Sequence, residues 1–179
     1  ENITGAFAMA HSIGISPEKI VAAISAFKGI KRRLEKRFEG ESTLLDCHAP
    51  TAEKALSVLE SIREVYDKKI IAVYEPNIGG RQRASARMYD NTFSSADIVV
   101  IPRLTKLKVA EGAPESEIAM EGQELADTIA QTHKNVVYID DDAKLVDFIV
   151  SETKKGDVIA FLGSHGFRGM IEETVSCLA

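Results

Sequence analysis

The chain of 179 residues has only two cysteines, Cys47 and Cys177, no tryptophan and five prolines. Two distant thiols cannot make a disulfide framework or a CxxC metal site, which points to a reducing, cytoplasmic setting. No apolar run approaches the ~20 residues that a membrane-spanning helix needs. The first residues lack a basic region followed by an apolar stretch, so no secretory signal is expected. An excess of positive charge is also missing: 22 Lys and Arg stand against 27 Asp and Glu, a formal charge of -5. A nonspecific nucleic-acid binder would show the reverse. Neither Gly-x-x-x-x-Gly-Lys-Ser/Thr nor Gly-x-Gly-x-x-Gly occurs, which removes a phosphate-binding P-loop and a dinucleotide fingerprint, and no Gly-x-Ser-x-Gly elbow is present. What remains is ordinary globular composition, 45% apolar and 27% charged, with one core as the default for this length.

The order of segments predicts an α/β fold. Ile3, Ala6, Phe7 and Ala10 recur at helical spacing and Gly14 stops them. Ser16-Pro17-Glu18 then supplies an N-cap, a first-turn proline and an acidic first turn to a second helix ending near Gly29. Leu34 to Phe38 and Ser42 to Asp46 read as a hairpin around Glu39-Gly40-Glu41. Four helix-to-strand units follow: a helix from Ala52 to Ile62 before Ile70–Tyr74, Ala84 to Ser94 before Ile98–Ile101, Ile118 to Ile129 before Val136–Ile139, and Ala143 to Thr153 before Val158–Leu162. Short all-apolar strands alternating with amphipathic helices require a mostly parallel sheet covered on both faces, a Rossmann-like arrangement, here preceded by a short helical hairpin. Pro102 to Glu117 is the longest irregular stretch. Because the chain begins without Met and inside a helical pattern, it is expected to be a fragment of a longer protein.

Ligands of open parallel sheets bind beyond the carboxyl ends of the strands. The residues there are therefore the candidates: Asp46-Cys47-His48, the segment from Glu75 through Gly79-Gly80-Arg81-Gln82-Arg83, Pro102, Asp140, and Gly163-Ser164-His165-Gly166-Phe167-Arg168. Asp46 and His48 could orient a Mg-nucleotide, or Asp46 could serve as a helix cap and His48 as a loop residue. A lone His beside one carboxylate lacks the further ligands of a stable metal site, so no metal site is expected. Lys31-Arg32-Arg33 suits phosphate, and equally a solvated junction. Arg81 and Arg83 could clamp a substrate, and Ser164, His165 and Arg168 suit an anion or a peptide carboxylate. Asp140-Asp141-Asp142 reads as a turn and N-cap, and Met88, Met120 and Met170 as core filler.

In this order the segments resemble the C-terminal part of the Mur ligases, ATP-dependent amide-forming enzymes of cell-wall peptide synthesis. Glu1-Asn2-Ile3-Thr4-Gly5-Ala6 is similar to the family's His-Asn-x-x-Asn-Ala helix start, with Glu1 and Gly5 in place of His and Asn. Phe27-Lys28-Gly29-Ile30-Lys31-Arg32-Arg33-Leu34-Glu35 resembles its Phe-x-Gly-x-x-Arg-Arg-Phe-Glu junction and is the most specific match. Asp46-Cys47-His48-Ala49-Pro50 is similar to the Asp-Tyr-Ala-His-x-Pro strand end, one residue shorter. Gly163-Ser164-His165-Gly166-Phe167-Arg168-Gly169-Met170 resembles the Gly-Ser-Arg-x-Met stretch of the branch that adds D-Ala-D-Ala, whereas Val73-Tyr74-Glu75-Pro76-Asn77 is closer to the murein-peptide and alanine-adding branches. The mixed signatures leave the carboxylate substrate open between cell-wall peptide precursors and a non-peptidoglycan acid.

The resemblance implies that residues 1–28 are the last helices of a central ATPase domain and 29–179 the C-terminal Rossmann-like domain. It implies ATP and Mg2+ as cofactors, with the Mg ligands mainly in a central domain outside this chain, and an amino acid or peptide amine as acceptor. Asn2, Arg33 and Asp46 would contact the nucleotide. Asp46 and His48 would lie at the reaction centre, and Arg81, Arg83, Ser164, His165 and Arg168 would form one pocket for the incoming amine substrate. The expected partners are small-molecule substrates and the remaining domains, with no nucleic acid and no membrane. A receiver- or flavodoxin-like binding module is the rival from another class; a receiver would carry an acidic pair after its first strand and a Lys after its last, where this chain has Gly163-Ser164-His165.

Overall fold

The computed structural model describes residues 2–105 and 114–179. It divides into two compact units, 1–30 and 31–179, close to the boundary expected after Lys28. The first unit is a helical hairpin of α1 (Asn2–Ser12) and α2 (Pro17–Ala26). Gly14, at φ +89, ends α1 by donating to His11 O while Ile15 N donates to Ala10 O, the paired hydrogen bonds of a left-handed helix stop. Only Ile20 is buried in the two helices. Their facing sides leave an apolar groove of 470 Å³ along Ile3, Ala6, Ala10, Ile20, Ile24 and Phe27.

The second unit carries a six-stranded sheet of order β1-β2-β6-β3-β4-β5. Its strands are β1 (Glu35–Glu39), β2 (Thr43–His48), β3 (Ile70–Glu75), β4 (Ile98–Pro102), β5 (Val136–Ile139) and β6 (Val158–Gly163). β1 and β2 form the expected antiparallel hairpin, and all other pairings are parallel. The helices are α3 (Ala52–Val65), α4 (Gly122–Ala130), α5 (Asp142–Glu152) and α6 (Met170–Leu178). Strand periodicity decides where each packs. Leu45, Cys47, Ala72, Tyr74, Ala160 and Leu162 point to one face, beneath α3 and α4. Leu44, Ile71, Val73, Ile159 and Phe161 point to the other, beneath α5 and α6. Every residue of β3 and β6 is buried, the reason their sequences read as unbroken apolar runs.

Two expected helices differ. Ala84 to Ser94 is not an α-helix but a 3-10 turn over Arg83–Tyr89 followed by further turns closed three residues back, including Thr92 N to Tyr89 O and Ser94 N to Asn91 O. Tyr89 and Phe93 both pack edge-on against Tyr74, and Asn91 sits between them at φ +58, a left-handed residue that no α-helix accommodates. Burial of two aromatics has overridden a helical spacing. The other helix starts at Gly122 rather than Ile118, because Ala119 bridges to Gln82 and a side chain at Gly122 would meet the Tyr138 ring at 2.2 Å. Of the irregular stretch 102–117, residues 106–113 lie outside the described residues, and Glu115–Glu117 form a 3-10 turn. Met120 and Met170 are core residues as expected, while Met88 is exposed. No described helix is long and apolar enough to cross a membrane.

Phe161, fully buried and 5.0 Å from the Phe167 ring in edge-to-face contact, ties β6 to the loop that follows it. Phe161→Ala should lower the unfolding free energy by about 3 to 5 kcal/mol, read as a shifted midpoint in urea denaturation.

Candidate functional site

The carboxyl ends of β2, β3, β4 and β6 lie side by side, and His48, Gly163 and Glu75 are register partners across three adjacent strands. Parallel strands end with carbonyls that have no ladder partner, and an arginine supplies them here. Arg32 donates from Nη1 to Ser164 O (2.9 Å) and from Nη2 to Gly163 O (3.1 Å) and His165 O (2.8 Å). Its Nε donates to Asp46 Oδ1 at 3.1 Å. The connector before β1 is thereby pinned to the loop after β6, and His48 N reinforces it by donating to Arg32 O.

The pinning holds strained backbone. Arg32 and Leu34 in the connector and Phe167 and Arg168 in the loop all have positive φ, which costs roughly 1–2 kcal/mol per non-glycine residue. Asp46 is almost fully buried, with Arg37 Nη1 3.6 Å from its second oxygen. Its charge is matched within the fold by two arginines.

The neighbouring groups separate into paired and unpaired. Arg33 is exposed and makes no hydrogen bond or ion pair with the described residues. His48 is half-buried, and burial, followed by the cations Arg32, Lys54 and Arg33, lowers its pKa, so the imidazole is neutral at pH 7. The Cys47 thiol beside it is pushed up to about 12, first by burial, and is not a thiolate nucleophile. Ser164 Oγ is buried without a hydrogen-bond partner among the described residues, and a buried polar atom of that kind calls for an explanation. His165 is exposed apart from its carbonyl bond to Arg32.

The arginines expected to share one pocket are placed differently from one another. Arg81 is 3% exposed and donates to the carbonyls of Met120 and Thr105, bracing the segment after β4. Arg83 turns outward to Glu124 (2.7 Å) and Glu115 (2.9 Å). Arg168 is held by both oxygens of the buried Glu75 through Nη1 (3.1 and 3.0 Å) and by Asp142 through Nε and Nη2 (2.9 and 3.1 Å). Arg168 lines a cavity of 410 Å³ with Arg103, Leu104 and Thr105, and Arg81 donates to the carbonyl of that Thr105. A second cavity, of 170 Å³, lies at the start of α3 against the Gly79-Gly80 loop, lined by Thr51, Glu53, Asn77, Gly80, Ser85 and Met88. Asn2 belongs to α1 in the first unit, beside its apolar groove.

Sequence reasoning named Arg32 only as part of a phosphate-suited or solvated run and missed its role at the strand ends, and it missed Arg103 and the pairing of Asp142. The strand-end rule pointed at their neighbourhood, since Arg103 follows Pro102 at the end of β4. Asp141 does cap α5, accepting from Lys144 N at 2.9 Å, as the acidic run suggested, whereas Asp142 turns to Arg168 and Arg103. Its carboxyl is held below the ordinary range, first by the Arg168 hydrogen bond. A lowered carboxyl stabilises the fold above the ordinary carboxylate range, and that contribution is lost as pH falls through the lowered value. Among the described residues no three His, Cys, Asp or Glu side chains cluster to hold a metal ion.

Residues 32–165 match the family described as Mur ligase, glutamate ligase domain. The chain belongs to the Mur ligase family. It is 29% identical over 168 residues to the UDP-N-acetylmuramate–L-alanine ligase of Rhodopseudomonas palustris (strain HaA2), covering 91% of this chain and 34% of that protein. The fold matches the UDP-N-acetylmuramate-alanine ligase of Thermotoga maritima with a TM-score of 0.75 at 20% identity, over 98% of this chain and 36% of that one. It also matches the MurF ligase of the same organism, solved in complex with ADP, with a TM-score of 0.68 at 18% identity, over 99% and 38%. This Mur ligase chain therefore spans about a third of the length of these relatives.

Arg32→Ala should destabilise the domain by about 2 kcal/mol, since it leaves the Ser164 and His165 carbonyls without their donor, Gly163 O with Ala49 N alone and Asp46 with Arg37 alone. Urea unfolding of the two proteins side by side measures it; an unchanged midpoint would reduce the tie to a surface contact.

Proposed function

We propose that this chain is the nucleotide- and acceptor-contacting part of an ATP-dependent ligase that joins a carboxylate to the amine of an amino acid or peptide, in cell-wall peptide synthesis or recycling in the cytoplasm. Residues 1–30 are then the end of a central ATPase domain, and the apolar groove between α1 and α2 supports that reading, because a hairpin with one buried residue needs apolar partners. The observation that carries the proposal is the division of labour in Lys31-Arg32-Arg33: Arg32 is consumed by the strand ends, and Arg33 beside it is an exposed cation with no partner among the described residues.

ATP would supply the phosphoryl group that converts the carboxylate into an acyl phosphate, with ADP as the leaving group, and attack by the amine would then form the amide and release phosphate. The residues present fit a nucleotide. Arg33 can take two phosphate oxygens bidentately, and Ser164 Oγ has hydrogen-bonding capacity that the described residues do not use. Asp46, matched by Arg32 and Arg37, contributes by positioning: it fixes the Arg32 guanidinium and through it the β6 loop. His48, neutral at pH 7, is available to accept the proton of the incoming ammonium. Arg168 and Arg81 frame the acceptor side, and Arg83 and His165 border it. Mg2+ is assigned to residues outside this chain, and no step here depends on it.

Two measurements test the proposal. The chain by itself, without a P-loop, should show no ATP turnover, whereas the full-length protein should release phosphate when given ATP, UDP-N-acetylmuramate and L-alanine; turnover by the isolated chain would refute the assignment. In the full-length protein Arg33→Ala should raise the KM for ATP, a loss of about 1.5 to 3 kcal/mol in binding, with little change in folding stability. Equal ATP kinetics would make Arg33 a solvated junction residue.

A further inference from the structure

The cavity at the ends of β4 and β6 has two guanidinium groups at its mouth, Arg103 and Arg168, and a single carboxylate is shared between them. Asp142 meets Arg168 fork to fork, Oδ2 on Nε at 2.9 Å and Oδ1 on Nη2 at 3.1 Å. Arg103 Nη2 approaches the same Oδ2 at 3.3 Å. This is the geometry with which arginines take up a free carboxylate. We propose that Asp142 is a built-in stand-in for the carboxylate of the acceptor, filling the Arg103–Arg168 clamp until the substrate's own carboxylate replaces it. The inference rests on the ligase reading above for the identity of the ligand, and on the cavity alone for the existence of an anion site.

The surroundings separate what is fixed from what can move. Arg168 is anchored on its far side by Glu75, which is 5% exposed, and its backbone is committed to a left-handed conformation following Phe167 in another. Beneath, Arg81 holds the Thr105 carbonyl, so the cavity wall is braced. Asp142 is not anchored in this way. The capping of α5 is done by Asp141, so rotation of Asp142 towards water leaves the helix end satisfied.

Charge counting makes replacement the favourable route. Among the described residues Glu75 and Asp142 already balance Arg103 and Arg168. A substrate carboxylate entering without displacing Asp142 would be a third anion on two cations. One entering in exchange keeps the balance and recovers the same fork. Asp142 thus sets a threshold: ligands that cannot match its bidentate bonds, such as a primary amide, leave the clamp closed. Selection by an occupied site of this kind is a difference of affinities rather than a gain of contacts.

The test uses acetate as the probe on the full-length protein, labelled with 15N-arginine and followed by the Nε–H resonances during titration. Asp142→Asn, which keeps size but loses the charge, should bind acetate about tenfold more tightly than the unaltered protein, and Arg103→Gln added to it should remove the gain. Asp142→Ser serves in place of Asp142→Asn if the latter lowers the melting temperature. Equal acetate affinity with and without Asp142, or a gain that survives Arg103→Gln, would overturn the proposal. Acetate binding requires no turnover, so the two readings fail separately. Loss of ATP-dependent phosphate release with a retained gain in acetate affinity would remove the ligase reading, while turnover with no such gain would remove the clamp.

Discussion

The guanidinium of Arg32 is the constraint on which the candidate site depends. A parallel sheet leaves its last carbonyls pointing past the strand ends, and at β6 three successive carbonyls turn towards one place. Left alone they would form an electronegative rim beside a buried Asp46, the opposite of what a phosphate or carboxylate ligand needs. One planar group with five donors meets this demand: Nε takes the carboxylate and the two Nη atoms take the carbonyls. A lysine could not span four acceptors in a fixed plane. The rim becomes neutral, and the cation next to it in sequence remains available for an external ligand.

The same logic runs around the rest of the site. With Arg32, Arg33, Arg81, Arg83, Arg103 and Arg168 near the strand ends, a count of charges would predict a strongly positive pocket. The structure shows instead that most are assigned. Arg81 belongs to carbonyls, Arg83 to Glu115 and Glu124, and Arg168 to Glu75 and Asp142. The strand ends therefore carry discrete, already paired arginines rather than a broad positive field.

Much of the fold was legible because its strongest signals were unambiguous. β3, β4 and β6 are buried on both faces, and only apolar residues satisfy that, so the strands announced themselves. Ser16-Pro17 and Gly14 marked helix ends by backbone chemistry that tertiary context did not alter. The segment from Ala84 to Ser94 was not legible, since its helical spacing was produced by two aromatics reaching the same neighbour, Tyr74, from consecutive tight turns. The site was legible in position but not in pairing. Nothing in Arg32-Arg33 distinguishes the two side chains; the left-handed backbone at Arg32 turns one inward, and that conformation is imposed by acceptors more than a hundred residues away. Asp141 and Asp142 pose the same problem, one becoming a cap and the other an ion-pair partner.

The strained residues show how these choices are enforced. Four non-glycine residues with positive φ flank the Arg32 tie, two in the connector and two in the β6 loop. None would hold that conformation in an isolated peptide, because each carries the steric cost of a side chain in the left-handed region. They persist because the hydrogen bonds of Arg32, the edge-on packing of Phe167 on Phe161, and the Glu75–Arg168 pair over-determine them. The connector that presents Arg33 and the loop that presents Ser164 and Arg168 are thus stabilised by one shared set of contacts. A shift in either segment must break bonds that hold the other, so the connector that carries Arg33 and the loop after β6 move together or not at all.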